Sequence, residues 1–262
     1  MQGGLQTTQW AGKTKYHFKS IDSTNKKAKE LAESGCPHGT LVTAESQYAG
    51  IGRRGRSWSS EENTGIYMTM VLRPDVEVSK ASMLTLVAAV AVAKAVEKQV
   101  EKVDCQPYIK WPNDIVINKK KICGILTELS LTGTDMDFLV IGIGINVANQ
   151  RFPDEIKETA SSLLLETGKE IDKERLIEDV WTSFERYYAL FLENKNLSAL
   201  QEDYEALLIN KNEKVKVLDP LGEFEGIAKG IAPTGELLVE TDEKEVLVSA
   251  GEVSVRGIYG YV

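Results

Sequence analysis

The sequence is poor in the residues that build disulfide frameworks and transition-metal sites. Its 262 residues include two histidines and three cysteines, and the cysteines, Cys36, Cys105 and Cys123, show no CxxC spacing. An odd number of scattered cysteines predicts free thiols in a reducing compartment. Because two histidines without clustered cysteines leave little for a zinc site, we expect His17 and His38 to be surface or structural residues.

Long hydrophobic runs and an excess of positive charge are also missing. The apolar stretch that begins at Ala81 is interrupted by Lys94, whereas a membrane-spanning helix needs ~20 apolar residues. The first residues lack the apolar segment of a signal peptide. The net charge of −8 argues against a duplex-binding protein, which usually presents a basic surface. We therefore expect a cytoplasmic protein that binds neither a membrane nor DNA.

Two nucleotide-binding signatures are incomplete. The stretch AGKTK at 11–15 contains GKT but lacks the upstream glycine and the following helix of a phosphate-binding loop. The stretch GIGINV at 142–147 breaks the GxGxxG pattern at its last position, and no helix pattern follows it. Neither a P-loop nor a dinucleotide-binding fold is therefore predicted.

The chain alternates strand and helix patterns and then changes character near residue 212. Strand patterns before that point include a hairpin at NKKK, which favours a mixed sheet over a parallel one, and helical patterns cover 81–101 and 172–209. The remaining residues form short strands separated by turn residues, as in a small β-barrel. We predict an α+β fold, a mixed β-sheet flanked by helices, with domains at 1–211 and 212–262.

Three polar segments are candidate sites. The loop QYAGIGRRGRSW at 47–58 combines three glycines with Arg53, Arg54 and Arg56, whose guanidinium groups suit carboxylate or phosphate. Lys110 opens KWPND, and STN at 23–25 has the residues of a helix N-cap. Taken one at a time, these segments leave a solvated basic loop, a surface lysine and an ordinary cap open, and the loop alone also allows a nucleic-acid contact.

The order of the segments resembles that of biotin protein ligases. These enzymes share a polar helix start, a glutamine before a loop GRGRxGRxW, then KWPND, a segment like KICGILTE, a GxGIN strand and a small C-terminal barrel. Residues 14 to 260 follow this order, and GIGRRGRSW departs from the loop pattern only at Ile51, where the family usually has arginine. The resemblance implies a sheet like that of class II aminoacyl-tRNA synthetases and an SH3-like barrel.

The resemblance also implies an activity and its partners. Such ligases activate biotin with MgATP to biotinyl-5′-AMP, release pyrophosphate, and transfer biotin to a lysine of a biotin carboxyl carrier protein. About fifteen residues precede the first predicted strand, too few for the DNA-binding domain that some members carry, so the monofunctional form is expected. A homodimer through a sheet edge beside the GIGIN strand is a further implication. The resemblance does not identify the metal ligands.

By position, the resemblance assigns two groups of residues. Lys110 and Arg53 are expected to be catalytic and to neutralise the biotin carboxylate and the α-phosphate, and Trp58 is expected to stack near the adenylate. The predicted biotin-binding residues are Ser23, Thr24, Asn25, Gln47, Gly50, Ile51, Gly52, Arg53, Lys110, Gly124, Gly142 and Gly144. The predicted ATP- or adenylate-binding residues are Arg54, Arg56, Trp58, Lys110, Asn113, Asn146 and Arg256.

Three alternatives stay open at this point. A lipoate ligase uses the same adenylation chemistry on a similar scaffold, although the loop and KWPND favour biotin. A biotin-sensing transcriptional regulator that has been truncated is the second alternative. A basic-loop nucleic-acid binder is the third, and steep salt dependence of nucleic-acid binding would identify it.

Overall fold

A computed structural model describes residues 8–219, 222–251, 253–257 and 260–262 of the protein. The first seven residues of the predicted 1–211 domain lie outside the described residues. Twelve strands in this part of the chain form two sheets, and five α-helices accompany them.

The larger sheet has seven strands in the order β1-β2-β3-β7-β6-β5-β4. Strands β1 and β2 are parallel and the other neighbours are antiparallel, so the predicted mixed sheet is confirmed. The GIGIN segment pairs with β3 on one side and β6 on the other, so in the described part of the chain it is an interior strand and the predicted sheet edge does not lie beside it. The strands are β1 Lys15–Ile21, β2 Leu41–Gln47, β3 Gly65–Leu72, β4 Tyr108–Lys110, β5 Asp114–Ile117, β6 Lys120–Thr132 and β7 Asp135–Asn146.

Helices cover both faces of this sheet. They are α1 Thr24–Glu33, α2 Met83–Val100, α3 Leu163–Thr167, α4 Lys173–Asn194 and α5 Gln201–Leu207. Helix α1 buries Ala28 and Ala32 against Val42, Val71 and Phe138 on one face. Helices α2 and α4 pack together within the larger core on the other face.

Helix α2 is apolar nearly all round because it lies between the sheet and α4. With the turn before it, this segment is long and apolar enough to cross a membrane by length and composition alone, but most of it is buried inside the protein. Its apolar composition is therefore explained by the core.

The smaller sheet is antiparallel and has the order β11-β10-β9-β8-β12. Its strands are β8 Lys214–Leu218, β9 Phe224–Ile231, β10 Leu237–Glu240, β11 Glu245–Val248 and β12 Ser254–Gly257. The Trp111 indole N–H donates to the Gly235 carbonyl at 3.1 Å, and Gln201 donates to the Ile231 carbonyl at 2.6 Å. These bonds seat the small domain beside the turn that contains KWPND. The boundary at 211/212 stays a prediction.

Candidate active site

The start of α1 and the end of β2 form one hydrogen-bonded unit. Ser23 is the N-cap of α1, and its side chain accepts from the backbone N–H of Lys26. The Gln47 side-chain carbonyl accepts from the Thr24 backbone N–H at 2.7 Å and from the Thr24 hydroxyl at 3.1 Å. These side chains adjoin because β1 and β2 are parallel neighbours and α1 begins directly after β1.

Asn25 is fixed at both ends of its amide. Its NH2 group donates to a Glu128 carboxylate oxygen at 2.8 Å, and its oxygen accepts from the Thr69 hydroxyl at 2.7 Å. A Cβ atom on Gly142 would collide with this amide. The glycine therefore makes room for a protein side chain as well as lining the cavity.

These groups line a first cavity on the α1 face of the sheet. The predicted biotin-binding residues that line it are Ser23, Thr24, Asn25, Gln47, Ile51, Gly52, Arg53, Gly124, Gly142 and Gly144, and Trp58 and Asn113 of the predicted nucleotide group line it too. Gly50 and Lys110 do not line it. The Gly50 side-chain position faces the Trp58 carbonyl and Ser60, and Lys110 at the end of β4 lines a second cavity instead.

The arginine loop is folded as a short hairpin. Gly52 N–H donates to the Arg56 carbonyl at 2.7 Å, and Trp58 N–H donates to the Gly50 carbonyl at 2.9 Å. A 3₁₀ turn at Arg53–Gly55 closes it, with Arg54 in the left-handed region at φ 60°.

Ile51 pairs with Ser57 across this hairpin, and its side chain is 53% exposed. It also lines the first cavity. Where the family usually has an arginine, this chain therefore offers an uncharged wall.

Arg53 stands between the two cavities and bridges the two domains. Its guanidinium donates to Asn113 Oδ1 at 2.8 Å and to the Ala250 and Gly251 carbonyls of the small domain at 2.5 and 2.9 Å. Burial lowers the pKa of Arg53 from its usual value. This cation is thus held in place by neutral acceptors, which leaves its charge available to an anion.

Trp58 forms a partition between the cavities. A Cβ atom on Gly124 or Gly144 would come within 2.8 or 2.6 Å of its indole, so the ring packs directly on the glycines of β6 and β7. The Lys121 ammonium is 5.3 Å from the ring centre. The indole N–H is buried and has no hydrogen-bond partner among the described residues, a cost of ~1–3 kcal/mol if nothing accepts it.

The second cavity is strongly cationic. Seven positive side chains and one carboxylate, that of Asp114, line it, together with Asn113 and Asn146. The positive residues are Arg53, Arg54, Arg56, Lys110, Lys121, Arg151 and Arg256. The two asparagines are held by main-chain carbonyls, since Asn113 donates to Ile125 and Asn146 to Ser161, each at 3.0 Å. The whole predicted nucleotide group lines this cavity, which has the charge to attract a polyanion.

Lys110 is the buried cation of this cavity. Desolvation lowers its pKa to about 8, with Asp114 opposing that shift and the neighbouring cations adding to it. Its ammonium lies 4.4 Å from the centre of the Tyr261 ring and makes no hydrogen bond or ion pair with the residues that the structure describes. An anion that enters the cavity therefore meets an uncompensated positive charge.

Several residues of the second cavity were not predicted, and three of them, Lys121, Asp114 and Tyr261, surround Lys110. Lys121 pairs with Asp114 at 2.7 Å, and Tyr261 also lies there. Lys121 is the first residue of the KICGILTE segment and Asp114 the last of KWPND, so pairing these two strands of the sheet could have found both. No pattern in the sequence indicates Tyr261.

Two family descriptions match the chain. Residues 17–146 match the biotin/lipoate A/B protein ligase family, and residues 212–256 match the biotin protein ligase C terminal domain. The two matches coincide with the larger sheet up to the end of β7 and with the smaller sheet.

Curated and solved proteins resemble the chain over both domains. It is 43% identical to the bifunctional ligase/repressor BirA of Bacillus subtilis (strain 168), over 92% of this chain and 73% of that protein. It is 31% identical to the biotin-[acetyl-CoA-carboxylase] ligase of Paracoccus denitrificans, over 90% of this chain and 98% of that protein. The structure of a biotin protein ligase from Aquifex aeolicus in complex with biotin and ATP matches with a TM-score of 0.80 and 33% identity, over 94% of this chain and 99% of that chain.

Proposed function

Because the chain belongs to the biotin protein ligase family, we propose that its two cavities hold the two substrates of one adenylation, biotin in the first and MgATP in the second. The enzyme activates biotin with ATP to biotinyl-5′-AMP and then transfers biotin to a lysine of a biotin carboxyl carrier protein. The observation that supports the placement is Arg53, which lines both cavities: the first is lined mainly by uncharged polar groups and glycines, with Lys121 as its other cation, and the second is strongly cationic.

The first cavity suits an uncharged head group with donors and acceptors. Thr24, Asn25 and Gln47 are buried or half-buried, and their side chains already bond to one another or to neighbours. A network that is fixed before binding loses little entropy when it accepts a ligand. The ureido ring of biotin, which is neutral and polar, matches such a site.

The first chemical step needs two anions to be held together. A biotin carboxylate oxygen attacks the α-phosphorus, the bond from that phosphorus to the bridging oxygen breaks, and pyrophosphate leaves. The carboxylate is ionised at neutral pH, so no base is required, and the step depends on positioning and charge compensation. Arg53 lies where the two cavities meet, and Lys110 lies beside it in the second.

Magnesium enters this scheme as part of the MgATP substrate. No group of three or more potential metal-ligating side chains occurs among the described residues. That arrangement fits a cation held mainly by phosphate oxygens and water.

The second step transfers the acyl group. The ε-amine of the acceptor lysine attacks the carbonyl of the mixed anhydride, AMP leaves, and the amine loses a proton. Water would hydrolyse the same anhydride, so the site must exclude it until the acceptor arrives. The arginine hairpin is tied to the small domain through Arg53 and lines both cavities where they meet, which supports a role for it in that exclusion.

The remaining implications are part of this proposal. The acceptor is a carrier subunit of acetyl-CoA carboxylase or of another biotin-dependent carboxylase, and the enzyme acts in the cytoplasm. The net charge of −8 supports the absence of DNA binding by this chain. A homodimer stays a prediction.

Biotin- and ATP-dependent pyrophosphate release, with mass detection of biotinyl-AMP, tests the function. We expect release with biotin and not with lipoate, followed by labelling of a carrier domain at one lysine, and no labelling when that lysine is arginine. Release with lipoate alone would place the enzyme with the lipoate ligases. Steep salt-dependent binding of RNA or DNA without pyrophosphate release would instead support the nucleic-acid alternative.

A further inference from the structure

The C-terminal end of the chain reaches into the second cavity. The Tyr261 hydroxyl donates to Asp114 Oδ2 at 2.5 Å, and its ring centre is 4.4 Å from the Lys110 ammonium. The next residue, Val262, packs against Gly257 at the end of β12. A Cβ atom on Gly257 would collide with the Val262 carbonyl group. The end of the chain is therefore packed against the small domain while its tyrosine contacts the larger one.

This tyrosine separates two opposite charges that the sheet places side by side. Lys110 and Asp114 are directly paired across β4 and β5. Asp114 instead uses Oδ1 for Lys121 at 2.7 Å and Oδ2 for the Tyr261 hydroxyl. The Oδ1 contact is an ion pair without hydrogen-bond geometry, whereas Oδ2 accepts a hydrogen bond from the phenol. The Lys110 ammonium lies over the phenol ring.

We propose that Tyr261 is a positioning residue for Lys110, keeping its ammonium free of Asp114 and open to the anion in the second cavity. The proposal rests on the function proposed above. The ring face attracts the cation without cancelling its charge, whereas a direct ion pair with Asp114 would cancel it.

Other charged groups surround Lys110 and set the background for this effect. Those that face it come from the arginine loop, β5, β6 and β12, and they are Arg53, Asp114, Lys121 and Arg256. Because three of the four are cations, the single carboxylate decides whether the Lys110 charge is compensated. Tyr261 controls access to that carboxylate.

Two substitutions separate the ring from the hydroxyl. Tyr261→Phe keeps the ring and frees Asp114 Oδ2, and Tyr261→Leu removes both contacts. At saturating biotin we expect kcat for adenylation to fall about 3-fold in the first and about 10-fold in the second, with KM for ATP changed by less than about 2-fold. Tyr16→Leu, at an exposed tyrosine of the edge strand β1, is the control and should match the parent.

The pH profile distinguishes positioning from general damage. The Lys110 charge is present below its pKa of about 8 and is lost above it, so kcat/KM for ATP in the parent should fall as pH rises through that value. In Tyr261→Leu the alkaline limb should move to higher pH, because Asp114 then faces the ammonium directly. If Tyr261→Leu keeps the parent's kcat and pH profile, the proposal is overturned. A rise in KM for ATP alone would also overturn it, because that result would indicate that the Tyr261 ring stacks on the adenine base.

A measurement without turnover keeps this inference separate from the proposed function. In protein with isotope-labelled lysine, the loss of one NMR signal in Lys110→Arg assigns the Lys110 side chain. That signal should show a ring-current shift that persists in Tyr261→Phe and disappears in Tyr261→Leu. If the parent makes no biotinyl-AMP but this pattern appears, the proposed function fails and the contact stands. If the shift is unchanged in Tyr261→Leu, the positioning role is wrong, and the thermal midpoint shows whether each variant is folded.

Discussion

The two cavities share a wall but differ in how their polar groups are arranged. In the first, Thr24, Asn25 and Gln47 bond to one another or to close neighbours before any ligand is present. In the second, Lys110 is buried without a hydrogen-bond partner in the described part of the chain, and most of the lining charges have one sign.

This difference shows two ways of preparing a site. A neutral ligand is recognised by a network that is already satisfied and exchanges bonds at little cost. A polyanion is recognised by cations whose repulsion and desolvation are relieved only when it binds. We therefore expect substitutions on the first side to affect binding, and substitutions on the second to affect the chemical step.

Lys110→Ala should give the largest effect. Adenylate formation should fall about 100-fold or more, because a buried charge directed at the reacting anions is lost, while the Kd for biotin changes only a few-fold. Single-turnover pyrophosphate release and biotin titration calorimetry measure the two quantities. Activity equal to the parent would remove Lys110 from the reaction, and an equal loss of biotin affinity would end the distinction between the cavities.

Gly142→Ala should mainly weaken biotin binding, by about 30-fold, since the added Cβ displaces the Asn25 amide from its bonds to Glu128 and Thr69. Biotin titration measures it. The matched control is Asn25→Ala, in whose background Gly142→Ala should have little further effect. If the double variant loses about a further 30-fold in biotin affinity, Gly142 contributes to binding in some way other than by making room for the Asn25 side chain.

Arg53→Gly removes a cation that lines both cavities. We expect release of biotinyl-AMP to accelerate about 10-fold, because a charge-assisted contact and the tether to the small domain disappear together. The released biotinyl-AMP should then acylate lysines of other proteins in solution. Dissociation measured by chase with excess unlabelled biotin tests this, and an unchanged release rate would contradict it.

Ile51→Arg should give the smallest effect. It places a cation in the uncharged wall of the first cavity at a half-exposed position, and exposed charges contribute less than ~1 kcal/mol. The same chase experiment should show adenylate release slowed about 3-fold. Ile51→Leu is the control for size, and a large effect of arginine would show that this chain depends on the wall being neutral.

Much of the fold was predictable because each element has a local cause. Composition placed both ends of the all-apolar α2 to within about two residues, and the cap residues at 23–25 placed the start of α1. Helix α3 was not predicted, since it has only five residues and such a length shows no helical period.

The site was predictable where the order of the strands and helices determines which side chains meet. It was unpredictable where the side-chain positions depend on tertiary packing. Thr24 and Gln47 meet because their elements adjoin. Lys110 was expected beside biotin as well, but the three-residue β4 ends in the second cavity. The positions of Trp58 over Gly144 and of Tyr261 over Lys110 depend on tertiary contacts between distant segments, which no local pattern records.

The contact between Arg53 and the small domain has a consequence for how this protein tolerates sequence change. Its acceptors there are the main-chain carbonyls of Ala250 and Gly251, and every residue type supplies a carbonyl. Single replacements at 250 and 251 should therefore preserve the contact. Inserting or deleting one residue between β11 and β12 should break the contact. The segment between these strands should therefore tolerate changes in residue type better than changes in length.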